Sequence, residues 1–337
     1  MRRGQAYSVM QHADVVVIGA GVAGLTAAMI AAGQGVSTVV VEQLGPGGQI
    51  ATIEKIRNFP GFPDGIAGYE LGPLLQQQAE AAGALFQLDS VSAIVAGDGV
   101  YRVICADEEI VARTVIIAAG SSLRKLEIPG ETEFAGLGVS HCASCDGPLF
   151  KGQPVIVVGG GDSAFDEALV LAAHAAEVTL VHRGSAPLAR PEAIAQLAAL
   201  PNVRIISSAE VTAIEGDTRV TGVTIRRGAA IERRACRAVF AYAGLKPQTG
   251  FLQGFAALDA GGHIVTDQAM RASQPGLFAA GDVRAGSVKL LAAVAGDAAS
   301  AAISAVRYLR TASENKQSER EGNDLGVAER SRSAAGR

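Results

Sequence analysis

Apolar positions along this chain fall into two rhythms, short unbroken runs rich in Val and Ile and longer Ala-rich stretches. Residues 14–42, DVVVIGAGVAGLTAAMIAAGQGVSTVVVE, read as a strand buried on both faces, a glycine turn, a helix and a second strand. Residues 154–183, PVIVVGGGDSAFDEALVLAAHAAEVTLVHR, follow the same plan. The interval from first turn glycine to the end of the second strand is 23 residues in both, Gly19 to Glu42 and Gly159 to His182. Two such units predict two separate dinucleotide sites. Shorter strand patterns follow each unit: LFQLDSVSAIVAG, VYRVICADEEI and RTVIIAAG after the first, NVRIISSAEVTAIEG, VTGVTIRRG and ACRAVFAYAG after the second. A strand and an Ala-rich helix return between His263 and Leu309. This order predicts an α/β fold of two Rossmann-like, three-layer domains, the second inserted in the first: 12–122 with 247–311, and 123–246. Residues 312–337 are polar, nearly free of large apolar groups, and read as a disordered tail.

Composition narrows the setting. With 337 residues, 49% of them apolar, the chain can bury large cores. A formal net charge of -4 offers no basic field for nucleic acid or a membrane surface. The opening MRRGQAYSVMQHA lacks the apolar run of a leader, and LLAAVAGDAASAAISAV is broken by Asp297, so no span of about 18 apolar residues exists. A cytoplasmic protein is expected. In a reducing compartment its four cysteines do not make a disulfide framework.

In the first unit Gly19-Ala-Gly21-Val-Ala23-Gly24 matches the G-x-G-x-x-G fingerprint. Gly19 permits the tight turn, Gly21 lets the backbone approach a pyrophosphate, and Gly24 lets helix and strand pack closely. Glu42, followed by Gln43, ends the second strand, where a carboxylate accepts hydrogen bonds from a ribose. In the second unit Gly159-Gly-Gly161-Asp162-Ser163-Ala164 fits the variant ending in Ala. His182 and Arg183 stand where the first unit has Glu42 and Gln43. A carboxylate there would repel a 2′-phosphate, whereas an imidazole and a guanidinium can bind one. The first cradle thus suits an unphosphorylated ribose and the second suits NADPH.

Between the units lies HCASCDGPLFKG, with Cys142 and Cys145 three apart and Asp146 next. A zinc site needs four ligands, and no second C-x-x-C or His pair accompanies this one. Haem attachment needs a His where Asp146 stands. A redox dithiol needs two near thiols and a nearby proton donor, which Asp146 can be. Cys105 and Cys236 fall in strand patterns and read as buried structural thiols.

Taken in order, these motifs resemble the low-molecular-weight thioredoxin reductases along nearly the whole chain. GAGVAGLTAAMIA, GPGGQI, RNFPGF, VIIAAG before RKLEIPGE, C-x-x-C-D-G, GGGDSAFDEA, AGLKPQTGFL and GLFAAGDV carry the resemblance. It implies a homodimer with FAD in the first cradle and NADPH, or alternatively NADH, in the second. It further implies that Gly48, Gln49, Asn58, Ala119 and Gly120 surround the flavin, with Gly281 and Asp282 at its ribityl or phosphate groups. Cys145 would face the isoalloxazine, Cys142 would attack the substrate disulfide, and Asp146 would act as general acid and base. The nicotinamide domain would rotate so that dithiol and nicotinamide alternate at the flavin. A thioredoxin-like dithiol protein would be the partner.

Three departures from that pattern stand out. Gly184 replaces an Arg common at the 2′-phosphate site, and Arg190 falls later than the family's third Arg. Lys289-Leu290-Leu291 stands where Arg-Gln-Ala usually meets the flavin. Pro148-Leu149 replaces an aromatic pair after the dithiol, and CDGPLFKG also resembles the flavoprotein of alkyl-hydroperoxide reductase. Two rival functions keep the dithiol: an oxygen-using dithiol oxidase, and a redox sensor without turnover.

Overall fold

A computed structural model describes residues 11–252 and 254–334, with side chains described through Glu314. The chain divides into two compact units, one holding the residues up to Ala51, Lys55–Ser121 and those from Pro247, the other Thr52–Glu54 and Ser122–Lys246. In chain order the first begins with β1 (Gln11–Ile18), α1 (Val22–Gly33), β2 (Thr38–Glu42), α2 (Gly68–Ala81), β3 (Leu85–Leu88), β4 (Val91–Gly97), β5 (Val100–Cys105) and β6 (Glu109–Ile117). β7 (Ser121–Leu123) leads to β8 (Val139–Ser140), α3 (Ala143–Asp146), β9 (Pro154–Val158), α4 (Asp162–Ala172), β10 (Glu177–Val181) and α5 (Pro191–Ala198). Then come β11 (Val203–Ile206), β12 (Glu210–Gly216), β13 (Val220–Arg227), β14 (Ala230–Ala235) and β15 (Ala238–Ala241). β16 (Leu245–Pro247) leads back to β17 (Leu277–Ala279) and α6 (Leu291–Ala334).

The first unit is built on the sheet β3-β2-β1-β6-β5-β4, with β17 added on β6. On its edge away from β1, β6 serves two partners in turn: Glu109–Ala112 pair antiparallel with β5, and Val115–Ile117 pair parallel with β17. Both faces of β1 are covered. Val15 and Val17 join a core with Leu25 and Ala28 of α1, Leu71 of α2 and Ala301 of α6. Val16 and Ile18 join the opposite core, with Val103, Ile110, Leu252 and Ile264. An unbroken apolar strand is the consequence of that double burial.

The second unit has a five-stranded parallel sheet, β11-β10-β9-β15-β8, beside an antiparallel sheet β12-β13-β14. Val155, Val157, Leu180 and Phe240 pack toward Phe165 and Leu171 of α4 and Leu197 of α5. Ile156, Val181 and Val239 pack the other way, against Val211, Ile214, Val223 and Ile225 of the antiparallel sheet. Helices, parallel sheet and antiparallel sheet make three layers.

α6 runs on to Ala334, through most of the segment read as a disordered tail; residues 335–337 lie outside the described residues. Low apolar content shows that a segment has no core to join, not that it avoids a helix. This stretch lacks Pro and continues a helix already anchored by Ala298, Ala301 and Ala305, so no new nucleation is needed. No described helix is long and apolar enough to cross a membrane.

The tightest steric constraint lies at the first turn. A Cβ on Gly24 would sit 1.7 Å from the Gly19 carbonyl oxygen, whereas one on Gly33, at the end of the same helix, would meet nothing within 4 Å. Gly24→Ala should therefore destabilise the protein by about 3 kcal/mol, and Gly33→Ala should be neutral or gain up to about 1 kcal/mol. Thermal unfolding of the two variants checks this, and equal midpoints would contradict it.

Candidate functional site

The first glycine turn joins β1 to α1 at the C-terminal edge of its parallel strands. Gly19 has φ 101°, and a Cβ there would meet the Ala118 carbonyl oxygen at 2.6 Å. Gly21 differs: a Cβ on it would find nothing nearer than 3.9 Å, so that face of the turn is open to a phosphate. Glu42 reaches back to the turn, its Oε2 accepting from the Ala20 N–H at 2.7 Å and its Oε1 from the Leu44 N–H at 3.0 Å. Gln43 is exposed beside it, and Ala23 and Gly24 are buried in α1.

Other expected residues gather at the same edge. Gly48 adopts φ 57°, and a Cβ on it would lie 3.2 Å from the Gly21 Cα. Gln49 Nε2 donates to the Ser121 carbonyl at 2.9 Å, and the Ser121 hydroxyl donates to the Asp282 carbonyl at 3.2 Å. Gly281, at φ 77°, abuts Ala23: a Cβ on it would lie 2.9 Å from the Ala23 Cβ. The Asp282 carboxylate accepts from the Ser287 hydroxyl at 3.1 Å. Burial raises the Asp282 pKa, opposed by Ser287 and by the charge of Lys289. Lys289 and Leu290 are exposed, and Leu291 opens α6. The carbonyls of Ala119 and Gly120 accept from the Gln248 side chain and main chain, each at 3.0 Å. Asn58 is exposed in a loop where Phe59 stacks on Phe62, and makes no hydrogen bond to this group among the described residues.

The second turn reproduces the first in outline. A Cβ on Gly159 would meet the Tyr242 carbonyl oxygen at 2.5 Å and the Ala164 Cβ at 2.8 Å, while one on Gly161 would meet nothing within 4 Å. Ser163 is exposed in the first turn of α4. The loop after β10 is tied to this turn, with the Leu188 N–H on the Gly160 carbonyl at 2.7 Å and the Arg190 N–H on Asp162 Oδ1 at 2.7 Å.

The cations expected there are not equivalent. His182 is 4% exposed, its Nε2 lies 2.9 Å from the Ser207 hydroxyl, and burial lowers its pKa. Arg190 Nη2 lies 2.8 and 2.9 Å from the two Asp166 oxygens, and its Nε lies 3.4 Å from Asp162. Arg183 is exposed and forms no ion pair among the described residues. Gly184 is held by its own loop, since a Cβ would sit 2.8 Å from the Ala186 carbonyl oxygen.

The cysteine pair heads α3. Cys142 and Cys145 form a disulfide with their Cα atoms 5.3 Å apart, and Cys142 Sγ accepts the Cys145 N–H at 3.1 Å. Cys145 is exposed, while Cys142 and Asp146 are half-buried. Pro148 and Leu149 follow, both exposed. Two residues absent from the motif reading touch this turn: Glu167 Oε2 accepts from the Ala143 N–H at 2.8 Å and from the Tyr242 hydroxyl at 3.1 Å. Superposing the internal repeat reveals them, because Glu167 and Tyr242 stand where the first copy has Ala27 and Ala118. Cys105 and Cys236 are buried, and burial pushes both thiols up to about 12.

The profile of the family described as pyridine nucleotide-disulphide oxidoreductase matches residues 13–304. The chain belongs to that family. Among relatives of this reductase, the thioredoxin reductase of Treponema pallidum is 40% identical over 300 residues, covering 88% of this chain and 97% of its own. The thioredoxin reductase of Listeria monocytogenes is 38% identical over 313 residues, 91% of this chain and 97% of its own. In structure, the reductase is similar to Lactococcus lactis thioredoxin reductase with a TM-score of 0.86 and 35% identity, over 89% of this chain and 99% of that one. It is an FAD- and NADPH-dependent disulfide reductase. Its two glycine turns fit such nucleotides, each having an open glycine two residues after a glycine into which no Cβ fits.

Buried thiols with pKa values near 12 are almost wholly protonated at pH 8. Native reductase reduced by NADPH should therefore lose two thiols rapidly to iodoacetamide, Cys142 and Cys145, and all four only in denaturant. Peptide mass mapping reads the outcome, and rapid labelling of Cys105 or Cys236 would contradict it.

Proposed function

We propose that this reductase carries electrons from NADPH to thioredoxin or a closely similar dithiol protein through the Cys142–Cys145 pair. The observation that carries the reading is a C-x-x-C disulfide followed by a carboxylate, in a chain with two nucleotide cradles. We assign FAD to Gly19–Gly24, Glu42, Gly48, Gln49, Gly281 and Asp282, and NADPH to Gly159–Ala164 and Arg183. When bound, FAD supplies the hydride acceptor and the two-electron link to the disulfide.

The protein's own groups do the rest. In the reduced pair, the Cys145 N–H that reaches Cys142 Sγ favours negative charge there, which suits Cys142 as the attacking thiolate. Cys142 breaks the partner's disulfide and forms a mixed disulfide; Cys145 then displaces the partner and restores the Cys142–Cys145 bond. Asp146 takes the thiol proton and returns it to the departing partner sulfur. Cys142→Ser and Cys145→Ser should each abolish NADPH-dependent reduction of thioredoxin while NADPH-dependent reduction of ferricyanide persists. Near-parental thioredoxin reduction by either variant would overturn this route.

Coenzyme choice rests on Arg183. Arg190 is neutralised by Asp162 and Asp166, and His182 is turned to Ser207. One charge-assisted contact to a 2′-phosphate is worth about 1.5–3 kcal/mol, or about 10- to 150-fold in kcat/KM. Arg183→Ala should cut kcat/KM for NADPH by that factor and leave NADH nearly unchanged. Arg190→Ala should affect both coenzymes alike. A loss specific to NADPH in Arg190→Ala would return that residue to the phosphate site.

A further inference from the structure

The dithiol turn is tied to the rest of its unit by a carboxylate. Glu167, in the second turn of α4, takes two hydrogen bonds on one oxygen, from the Ala143 N–H at 2.8 Å and the Tyr242 hydroxyl at 3.1 Å. Ala143 is fully buried and follows Cys142 directly, so the negative group sits one peptide from the sulfur. In the first copy of the repeat, the equivalent residues are Ala27 and Ala118, both buried and apolar. A buried pair of alanines has become a half-buried acid and its hydroxyl donor only in the copy that adjoins the dithiol.

We propose that Glu167 is a positioning residue of the reaction: it holds the Cys142–Cys145 turn against α4, and its charge disfavours ionisation of the Cys142 thiol in the reduced pair. This rests on reading Cys142 and Cys145 as the working dithiol. Two influences then meet at Cys142. The Cys145 N–H favours a thiolate and the Glu167 carboxylate opposes it. The surrounding charges add to the opposition. Asp146 ends α3, Asp166 lies next to Glu167 on α4 and is bonded to Arg190, and the charge of Glu54 also acts on Glu167. His141, before Cys142, is exposed with its Nδ1 2.9 Å from the Ala241 carbonyl. Burial raises the Glu167 pKa, opposed by the same two donors, and burial and Glu167 together raise that of Tyr242.

The chemical benefit is reducing power. The reduced pair releases two electrons and two protons as it closes to the disulfide. Dithiols whose reduced form is stabilised as a thiolate are poor reductants, and a more basic thiol is a stronger nucleophile once ionised. A negative group beside Cys142 moves the pair in the reducing direction.

The test reads Cys142 alone, in FAD-loaded protein carrying Cys145→Ser, which keeps the residue-145 N–H. The rate of alkylation of Cys142 by uncharged iodoacetamide is followed against pH by peptide mass. Glu167→Gln keeps an oxygen for the Ala143 N–H and removes the charge; it should lower the pH midpoint by about half a unit to one unit. Glu167→Ala removes the charge and the acceptor together and should also lower the midpoint. An unmoved or raised midpoint in Glu167→Gln overturns the proposal. If that variant is not recovered folded, an unmoved midpoint in Glu167→Ala does so instead. Alkylation needs neither NADPH nor a partner, so failure here leaves the disulfide-reductase reading intact, whereas failure of the cysteine variants in turnover removes that reading itself.

Discussion

No atom larger than hydrogen fits between the Cα of Gly24 and the carbonyl oxygen of Gly19, and the first unit is arranged around that fact. Because α1 presses onto the turn that precedes it, its first amides emerge at the strand edge, beside the open face of Gly21. The same closeness brings Ala27, Ala28 and Ala31 into a core shared with Ala298, Ala301 and Ala305 of α6. Helices faced with alanine can approach one another and the sheet without leaving voids. Gly281 then fits against Ala23, which carries Asp282 to the turn. Cradle, helix packing and acid placement thus descend from one missing side chain.

The second unit obeys the same backbone rule with different chemistry. Its turn glycine also lies against a strand-end carbonyl, that of Tyr242 in place of Ala118. Polar additions appear both under the dithiol turn, at Glu167 and Tyr242, and at the cradle's rim. Arg190 is drawn onto Asp162 and Asp166, and His182 onto Ser207, leaving Arg183 as the cation of this rim with no ion pair among the described residues. Charge in this cradle is therefore set as much by acids on α4 as by the basic residues after β10.

What could be read from the residues follows the same division. The duplicated strand–turn–helix–strand plan and the α/β class were legible, because glycine spacing and unbroken Val runs report backbone packing directly. The helical course of α6 beyond Leu309 was not, since polarity there reports only the lack of a core. Arg190 illustrates a second limit. A motif names a cation at a position, but Asp166, 24 residues earlier, decides where that cation points. Glu167 and Tyr242 look ordinary on a helix and at a strand end, and become visible only when the two copies are laid over each other.

Four cysteines allow six pairings, and the fold forms one of them, Cys142–Cys145. Burial pushes the Cys105 and Cys236 thiols up to about 12, so both stay protonated at neutral pH. Exchange with a passing disulfide is correspondingly slow at either. A chain that handles reactive sulfur for a living is thereby insulated from scrambling its own: the electrons have one sulfur exit, and oxidative damage has few other places to start.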